Sequence, residues 1–549
     1  GYEKDNDKKE KEGIIMKNIL KEMRGLGYKV SWKLLNAANF GVPQNRERVI
    51  FLGTRNNVKK TLTHPSITHS TLNEDMFLKQ TPTLWDAISD LENKYGDPKI
   101  KNSLGSKYTV KINNYIGNRK THKNKPSPTI VGRGGGTGGP VIAVHPYLKR
   151  RFSVRETARI QSFPDNFYFK GLNKRELYDF TKTMINSGST VNFKDSDFFV
   201  ADKHSTGGIG DKTSLILVPI LASLNIRIPM IAGRSLAFTG GTIDKLESIP
   251  GFNTNQSLES FKKIILKNNS SIISQSNAIC PADKKIYKLR DLTGTIPSLP
   301  LICSSIMSKK ISEGINGLVL DIKIGNGAFL KTIDEGRKLA KLMKDVGNSF
   351  KIKTDIIFSS MDQPLGNYAG LFCEIQEAIK TLSNDGPSDL KELTLVLGAK
   401  ILIQAGKAQN LDEGIKLQEQ VLNNGSALRR FNKLVKLQKG TINNYNEINK
   451  PRYQRFVFAH KSGIINKFNT EKIGWALVEL GCGYKYTHSI LDYTAGIQFL
   501  SKVGDNVISG EKLFRVFNSD KEKLEKACLL LENSCYVDKK IPSFELIFD

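Results

Sequence analysis

The chain of 549 residues is long enough for three or four compact units, and its hydrophobic content of 39% excludes a largely disordered protein. No apolar run reaches membrane-spanning length and the first residues lack the apolar core of a signal peptide, so we expect a cytoplasmic protein with no membrane-bound part. The net charge of +28 excludes a mainly acidic surface, and the six cysteines show no CxxC pair or Cys/His metal spacing, which predicts reduced, mostly buried thiols.

The positive charge is concentrated in the first third of the chain. Residues 1–170 carry 31 Lys and Arg against 15 Asp and Glu, whereas the remaining 379 residues carry 51 against 39. From Lys101 to Arg155 there are twelve basic residues and no acidic one. Such a stretch is compatible with a surface that faces a polyanion and with a merely solvated basic face, so composition leaves both open.

The first recognisable elements are two strands joined by a turn. "GYKVSWKLLN" predicts a strand, Gly41 and Pro43 predict the turn, and "RVIFLG" predicts the second strand. Gln44, Arg46 and Arg48 alternate into the second strand, so a period of two places their side chains on one face. Two guanidinium groups on one face are good planar donors to a base or a phosphate.

This stretch resembles motif VIII of the cytosine-C5 DNA methyltransferases, whose QxRxR pattern it matches in full. "KPSPTIVGRGGG" at 125–136 resembles motif IX, and "FSVRETARIQSFPDNFYF" at 152–169 resembles motif X. In the last segment, Ser153 is expected to cap a helix, with Glu156 three residues later. The three motifs occur in the order that the family has.

The resemblance implies that Arg48 contacts a flipped base and that Gln44 and Arg46 support it. Methylation at C5 also needs a cysteine thiolate, an assisting glutamate and a glycine-rich loop for S-adenosylmethionine, yet no cysteine precedes Cys280. We therefore expect a C-terminal methyltransferase fragment without methyl-transfer activity. S-adenosylmethionine would belong only to the missing half, and weak DNA binding would remain.

A glycine loop, "KHSTGGIGDKTS", follows the apolar "FFVADK" and precedes "TSLILVPILASL", which predicts a strand, a loop and a helix. Such a loop points backbone N–H groups and a helix N-terminus at an anion, and Lys203 supplies the countercharge. Ser205, Thr206, Thr213 and Ser214 carry hydroxyl groups suited to phosphate oxygens. The glycines alone are equally compatible with an ordinary tight turn beside a surface lysine.

Together with "GRSLAFTGGTIDKLESIPGF" at 233–252 and "YKLRDLTGTIPSLPLICSSIMSKK" at 287–310, this loop resembles the pyrimidine-nucleoside phosphorylases, including thymidine phosphorylase, from about Gly171 onward. The resemblance implies reversible phosphorolysis of thymidine- or uridine-type nucleosides to free base and (deoxy)ribose 1-phosphate. It implies a pyrimidine nucleoside and inorganic phosphate as partners and no organic cofactor. It also implies a homodimer, weakened here by the loss of the family's first helices.

The resemblance assigns roles by position in the family motifs: phosphate ligands are Lys203, Ser205, Ser214 and Thr242, pyrimidine ligands are Arg290, Ser305 and Lys309, and the catalytic residues are His204, Arg290 and Lys309. Ser305 and Lys309 are four apart in a helix-compatible stretch, so both can face one edge of the base. His204 would donate the proton to the leaving base. Without the resemblance, a histidine beside a charged loop is more often structural.

The segment "QPLGNYAGLFCEIQEAI" at 363–379 matches the family segment that supplies a monovalent-cation site. The resemblance implies a potassium ion held by the Glu377 side chain and by the backbone carbonyls of Gly210 and Leu365. Judged by its residue type alone, a helical glutamate is more often solvated.

The second glycine loop departs from the family pattern. Ala232 and Phe238 replace a serine and a histidine, and Ser235 and Ala237 replace glycines. Losing a charge-assisted hydrogen bond to phosphate costs about 1.5–3 kcal/mol. We therefore expect weaker phosphate binding rather than complete loss of activity.

The expected architecture is α/β and multidomain, and it has six segments. Three are methyltransferase-like: 1–55 with motif VIII, 56–120 resembling a target-recognition region, and 121–169 with motifs IX and X. Three are phosphorylase-like: 170–195 as a truncated helical domain, 196–450 as an α/β phosphate-binding domain with an inserted helical segment, and 451–549 as an α+β end domain. The predicted function is phosphorolysis, and the alternative is a DNA-binding methyltransferase remnant.

Overall fold

The computed structural model divides the chain into two compact units, Gly1–Gly171 with Leu289–Thr295, and Leu172–Lys288 with Ile296–Asp549. The structure describes residues 3–4, 10–11, 14–71, 77–97, 99–103, 121–130, 144–167, 172–193, 197–235, 238, 240–276, 278–293, 298–484, 489–539 and 542–548. Much of the acid-free stretch, the glycine run of motif IX and Ala237 lie outside the described residues.

The first unit is built from short elements around one long antiparallel strand pair. Its strands are β1 (Glu3–Lys4), β2 (Glu10–Lys11), β3 (Tyr28–Asn36), β4 (Glu47–Arg55), β5 (His69–Ser70) and β6 (Lys79–Gln80). Its helices are α1 (Ile14–Gly25), α2 (Leu84–Ile88) and α3 (Val154–Ile160), with 3-10 turns at Ala37–Phe40 and Ser89–Leu91. β3 and β4 pair along their whole length, so the predicted strand, turn and strand are confirmed.

The prediction that the three motif VIII side chains share one strand face is wrong. β4 begins only at Glu47, and the chain forms an isolated bridge between Gln44 and Ser127 before it enters the strand. Gln44 is consequently buried, whereas Arg48 is exposed on β4. Arg46 lies between them, partly buried, and its Nη1 donates to the carbonyl of residue 130 at 3.3 Å.

The predicted cap of motif X is confirmed. The Ser153 hydroxyl accepts from the backbone N–H of Glu156 at 3.1 Å, and the Glu156 carboxylate accepts from the backbone N–H of Ser153 at 2.6 Å. This capping box satisfies two backbone donors at the start of α3. Arg150 holds the same carboxylate through two hydrogen bonds of 2.7 and 2.8 Å.

The second unit alternates strands and helices and then ends in antiparallel strands. Its helices are α4 (Lys174–Asn186), α5 (Thr213–Ser223), α6 (Thr242–Glu247), α7 (Leu258–Asn268), α8 (Pro281–Thr293), α9 (Leu299–Ser312), α10 (Ile333–Ser349), α11 (Phe372–Leu382), α12 (Ser388–Gln404), α13 (Leu411–Asn423), α14 (Ser426–Leu437), α15 (Thr470–Glu479) and α16 (Lys521–Leu531). The last part of α8 belongs to the first unit.

The strands of the second unit are β7 (Ala201–Ser205), β8 (Ile228–Ala232), β9 (Ser270–Ser274), β10 (Gly317–Ile324), β11 (Lys353–Ser360), β12 (Tyr368–Gly370), β13 (Tyr453–Phe458), β14 (Gly463–Phe468), β15 (Gly496–Phe499), β16 (Asn506–Val507), β17 (Lys512–Asn518), β18 (Cys535–Asp538) and β19 (Ile547–Phe548), and a 3-10 turn lies at Tyr445–Glu447. β7, β10 and β11 are parallel neighbours, and β19 pairs antiparallel with β11. A bridge between Val200 and Arg227 joins the parallel pair of β8 and β9 to the β7 edge.

The core around this sheet includes one helix that is apolar on all sides. Ten of the eleven residues of α5 are buried, so the helix lies inside the protein rather than along its surface. It packs against α11, α12 and α14. The helix that follows the first glycine loop is therefore held in a rigid setting.

The end of the second unit is antiparallel. β12, β15, β17 and β13 form a four-stranded sheet in that order, and β16, β14 and β18 form a three-stranded sheet. α15 packs against α16. Among the described residues, no helix combines the length and the apolar character that crossing a membrane requires.

Candidate active site

The first glycine loop leaves the carboxyl end of β7, the edge strand of the four-stranded sheet. The predicted strand, loop and helix are observed as β7, residues 206–212 and α5. Loops at the carboxyl ends of parallel strands are the usual ligand-binding edge of such sheets. The backbone N–H of Thr206 donates to the carbonyl of Asp321 on the neighbouring strand β10 at 3.0 Å, which fixes the start of the loop.

Lys203 connects the end of β7 to the start of α5. Its buried Nζ donates to the Thr213 hydroxyl at 2.5 Å and lies 3.7 Å from a carboxylate oxygen of Asp211 and from one of Asp321. The ammonium group therefore sits beside a helix N-terminus, where a bound anion would meet both the lysine and the helix dipole.

Asp211 stays ionised in this environment. Burial disfavours its charged form, but Lys203, Lys323 and Lys245 hold the pKa of its carboxyl group well below the usual value. Asp211 accepts from the Thr213 hydroxyl at 2.7 Å, so it also orients the first residue of α5. The result is a loop whose charges and hydroxyl groups are already fixed by contacts within the protein.

Two further buried lysines, Lys310 and Lys323, pair with carboxylates of the parallel strands β7 and β10. Lys310 binds Asp202 and also donates to Glu313 at 2.8 Å and to the carbonyl of Ile231 at 3.0 Å. Burial and the charge of Asp202 raise the pKa of Glu313 well above its usual value, which favours the protonated form of Glu313. Lys323 donates to the Ser359 hydroxyl at 3.1 Å and pairs with an Asp321 oxygen at 2.7 Å.

His204 follows Lys203 on β7 and lies within the electrostatic influence of several lysines. Burial, followed by the charges of Lys310, Lys309 and Lys203, lowers the pKa of its imidazole well below the ordinary value of 6.5. The ring is therefore neutral at pH 7 in the protein without ligands. An anion bound beside the same lysines would offset their repulsion and raise the pKa of His204.

The second glycine loop is fixed by one buried carboxylate. Asp244 accepts from the backbone N–H of Ser235 at 2.6 Å, from the Ser235 hydroxyl at 2.8 Å and from Arg234 at 2.9 Å. The backbone N–H of Gly241 donates to the Ser235 hydroxyl at 3.0 Å, and a Cβ atom on Gly241 would lie 2.3 Å from the Ser235 nitrogen. Thr242 follows as the first residue of α6.

Phe238, at the position where the family has a histidine, packs with other aromatic rings. Its ring stacks on Phe329 with centroids 6.0 Å apart and tilts against Trp475 at 5.8 Å. The Phe238 side chain makes apolar contacts and offers no hydrogen-bond donor to an anion.

Two buried ion pairs hold both loops to α11. Lys212, at the end of the first loop, donates to Glu377 at 2.5 Å, and Lys245 on α6 pairs with Glu374 at 2.6 Å. Lys245 also donates to the carbonyl of Asp211 at 2.8 Å, which ties the second loop to the first. Lys203, Ser205, Ser214 and Thr242 thus flank two loops that are in contact with each other.

Of the predicted pyrimidine ligands, Ser305 and Lys309 lie together on one face of α9. The Lys309 ammonium donates to the Ser305 hydroxyl at 2.9 Å and to the buried carboxylate of Asp283 at 2.6 Å. Arg290 is buried on α8, in the part of that helix that belongs to the first unit.

The three residues predicted to hold potassium surround Lys212 instead. Its Nζ donates to the carbonyl of Leu365 at 3.1 Å and to Glu377, while its backbone N–H donates to the carbonyl of Gly210 at 2.9 Å. The carbonyl of Tyr368 accepts a third hydrogen bond from the ammonium group at 2.7 Å.

Sequence reasoning missed the partners that hold the site together. Lys212 stands inside the quoted loop, and Glu374 stands three residues before Glu377 on one helical turn, yet neither was assigned a role. A spacing of i,i+3 between two glutamates that stand among the apolar residues of one helix is the signal that would have pointed to buried cations facing them. The pairings themselves join residues more than 100 positions apart.

Three family models match this chain. Residues 198–428 match the glycosyl transferase family, a/b domain, and residues 464–537 match the pyrimidine nucleoside phosphorylase C-terminal domain. Residues 6–187 match the C-5 cytosine-specific DNA methylase model. The sheet, the two loops and these matches define the second unit as a transferase of the glycosyl transferase class.

Similar proteins narrow this class. The pyrimidine-nucleoside phosphorylase of Bacillus subtilis (strain 168) is 42% identical over 353 residues, 64% of this chain and 82% of that protein. That of Staphylococcus epidermidis (strain ATCC 12228 / FDA PCI 1200) is 40% identical over 376 residues, 68% of this chain and 87% of that protein. The chain belongs to the pyrimidine-nucleoside phosphorylase family, and both predicted family resemblances are confirmed.

Among solved structures, anthranilate phosphoribosyltransferase from Thermus thermophilus is similar with a TM-score of 0.37 and 14% identity, covering 49% of this chain and 86% of that one. A likeness this distant carries no conclusion about activity.

The electrostatics of His204 predict pH-dependent anion binding. If a bound anion raises the pKa of His204, the protonated ring contributes affinity fully below the pKa of the free site, and this contribution is lost as pH rises through the pKa of the bound site. We expect the sulfate dissociation constant, measured by calorimetry, to increase as the pH rises from below the pKa of the free site through the pKa of the bound site. Sulfate is a suitable probe because its charge is constant over this range.

His204→Asn is the matched control, since asparagine keeps a polar side chain without titrating. This variant should lose the part of the pH dependence that belongs to the histidine. An unchanged pH profile in the variant would show that His204 does not sense the anion.

Proposed function

We propose that the second unit catalyses the reversible phosphorolysis of pyrimidine nucleosides to free base and pentose 1-phosphate. The observation that carries the proposal is the position of His204 at the end of β7, among Lys203, Lys309 and Lys310 and beside the first glycine loop. Membership of the pyrimidine-nucleoside phosphorylase family supports the same reaction. No organic cofactor is needed for this chemistry.

In the proposed reaction, Lys203, Ser205, Ser214 and Thr242 bind inorganic phosphate. Lys203 contributes charge, and the hydroxyl groups and the N-terminus of α5 contribute hydrogen-bond donors. Because Lys203 is already held by Thr213, Asp211 and Asp321, its ammonium group needs little reorganisation when the anion arrives.

Arg290, Ser305 and Lys309 are the proposed pyrimidine ligands. A phosphate oxygen forms a bond to C1′ of the sugar while the bond from C1′ to the base nitrogen breaks, and the electron pair of that bond stays on the base. A guanidinium and an ammonium group stabilise the negative charge that develops on the base oxygens. Lys309 is oriented for this role by Asp283 and Ser305.

His204 is the proposed proton donor to the leaving base. Its ring is neutral in the empty site because burial and three lysines lower its pKa. Phosphate would bring negative charge beside those lysines, so the protonated form becomes accessible only when the second substrate is bound. Proton transfer is thereby linked to phosphate binding.

The family resemblance also implies a homodimer and a potassium ion. The homodimer that the family resemblance implies stays a prediction. A potassium ion is left out of the proposed mechanism, because Leu365 and Glu377, two of its three expected ligands, are bound by the Lys212 ammonium group.

A DNA-binding role of the first unit is the second candidate. It is favoured by a net charge of +16 over residues 1–170 and by the exposed Arg48 at the start of β4. The match to a C-5 cytosine-specific DNA methylase model supports it. S-adenosylmethionine has no role in this proposal, because the described chemistry is limited to phosphate contacts.

The phosphate site is tested by Lys203→Ala. Loss of the anion's countercharge should lower kcat/KM by about 10²–10³-fold, mainly through KM for phosphate, in an assay of thymine or uracil release. Arg290→Ala should have a loss of similar size that falls on the nucleoside. The exposed Lys263 on α7 is the control, and Lys263→Ala should behave as the wild type. Wild-type turnover in either site variant would contradict the assignment.

The second loop is tested by restoring a hydroxyl group with Ala232→Ser. A recovered hydrogen bond to the anion should lower KM for phosphate by about 10–100-fold and change KM for the nucleoside much less. Ala232→Cys is close in size but a weak donor, so it should leave both values near those of the wild type. Equal effects of serine and cysteine would assign any change to packing rather than to the hydrogen bond.

The first unit is tested with labelled S-adenosylmethionine and with labelled duplex DNA on the full chain. We expect no methyl incorporation, because the thiolate that activates cytosine is absent from residues 1–279. Duplex binding should be weak, indifferent to sequence and steeply dependent on salt. Arg48→Gln should lower the slope of log affinity against log salt by about one if Arg48 contacts a phosphate. Methyl incorporation, or binding that ignores salt, would refute this account.

A further inference from the structure

The Lys212 ammonium group is surrounded by oxygen atoms of the kind that usually bind a metal ion. All three of its ammonium hydrogen bonds go to oxygen acceptors that the protein supplies: the carbonyl of Leu365 at 3.1 Å, the carbonyl of Tyr368 at 2.7 Å and the carboxylate of Glu377 at 2.5 Å. The side chain is 0% exposed. Carbonyl and carboxylate oxygens are the ligands that alkali and alkaline-earth cations prefer in proteins.

The surroundings of the ammonium group leave no place for a second cation. A Cβ atom on Gly366 would lie 2.9 Å from the Lys212 nitrogen and 2.6 Å from a Glu377 oxygen, and one on Gly210 would lie 2.3 Å from the Leu365 carbonyl oxygen. An external ion on the same oxygens would meet the buried ammonium charge at close range. The residues expected to bind potassium therefore do not fit a free ion in this chain.

Two carboxylates compensate the charge of Lys212. The Lys212 nitrogen lies 2.5 Å from a Glu377 oxygen and 4.0 Å from a Glu374 oxygen, and all three side chains are buried. The positive charge is therefore balanced within the protein.

We propose that Lys212 is a built-in cation: its ammonium group takes the place of a monovalent metal ion and makes the first glycine loop independent of external potassium. The kinetic consequence rests on the proposed phosphorolysis. The structural consequence concerns the loop alone and stands without it.

The way Lys212 acts on the phosphate site follows from its neighbours. It precedes Thr213, the hydroxyl group that accepts from Lys203. The backbone N–H of Leu365 donates to the carbonyl of Ile209 at 3.1 Å, so the loop and residues 361–368 are joined on both sides of Gly210. Lys212 is thus a positioning residue that locks the loop carrying Lys203, and it does not contact the substrates itself.

Two substitutions separate the charge of Lys212 from its volume. Lys212→Ala removes both and leaves the oxygen ligands around a space for an ion, whereas Lys212→Met removes the charge and keeps that space filled. The measurements are the unfolding temperature and KM for phosphate, each in potassium chloride and in choline chloride at equal ionic strength. Methylammonium chloride serves as a third salt, because it supplies the missing ammonium group from solution.

The wild type should give the same unfolding temperature and the same KM in all three salts. Lys212→Ala should unfold roughly 5–15 °C lower in choline, with recovery of at least half of the loss in potassium or methylammonium. Lys212→Met should be similarly destabilised and should not respond to either salt. KM for phosphate should follow the same pattern, with little change in KM for the nucleoside.

Three results would overturn the proposal. One is a wild-type unfolding temperature that rises in potassium relative to choline. Another is an alanine variant that folds but responds to the salts no better than the methionine variant. The third needs no variant: equilibrium dialysis of the wild type against rubidium chloride that finds one ion bound per chain. If the chain proves inactive as a phosphorylase, the unfolding and dialysis measurements still decide the question.

Discussion

Two lysine ammonium groups, buried against two glutamates on one helix, hold the candidate site in shape. Lys212 and Glu377 fix the first glycine loop, and Lys245 and Glu374 fix the second. A buried ion pair repays its desolvation only when its geometry is good, and removal of one partner costs about 3–5 kcal/mol because an uncompensated charge remains. The loops are therefore confined to one arrangement by a penalty larger than any single hydrogen bond supplies.

Further ion pairs explain how several positively charged side chains coexist near the end of β7. Lys203 and Lys323 are balanced by Asp211 and Asp321 within the sheet and its loop, and Lys310 is balanced below them by Asp202. The cations therefore need no bound anion in order to be retained in the core. An arriving phosphate meets charges that are already oriented, so the cost of organising the site is included in folding rather than in binding.

Local features of the sequence predicted much of this fold, because they depend on neighbours along the chain. The alternation of apolar stretches predicted β7 and α5 on either side of the first loop, and the serine at position 153 with a glutamate three residues later predicted the cap of α3. The i,i+4 spacing placed Ser305 and Lys309 on one face of α9. In each case the controlling interaction spans only a few residues.

Predictions failed or were absent where distant segments meet. Gln44 was expected on the same strand face as Arg46 and Arg48, but it forms an isolated bridge with Ser127, 83 positions away, and is buried before β4 begins. Lys212 received no role because its partner, Glu377, lies 165 positions along the chain. A residue type and a spacing describe what a side chain is able to do, whereas the acceptors that actually surround it are decided by the tertiary fold.

The phosphate-binding part of the proposed site lies within one of the two units. The proposed phosphate ligands and the ion pairs of the two loops all belong to Leu172–Lys288 and Ile296–Asp549. The buried apolar clusters of that unit contain side chains of α4, α5, α11 and α12. Its apolar core is therefore formed by residues that follow position 172. Because the loops depend on α11 and on the parallel sheet, the anion-binding half of the site is determined by this unit's own packing, whatever the methyltransferase-like residues contribute.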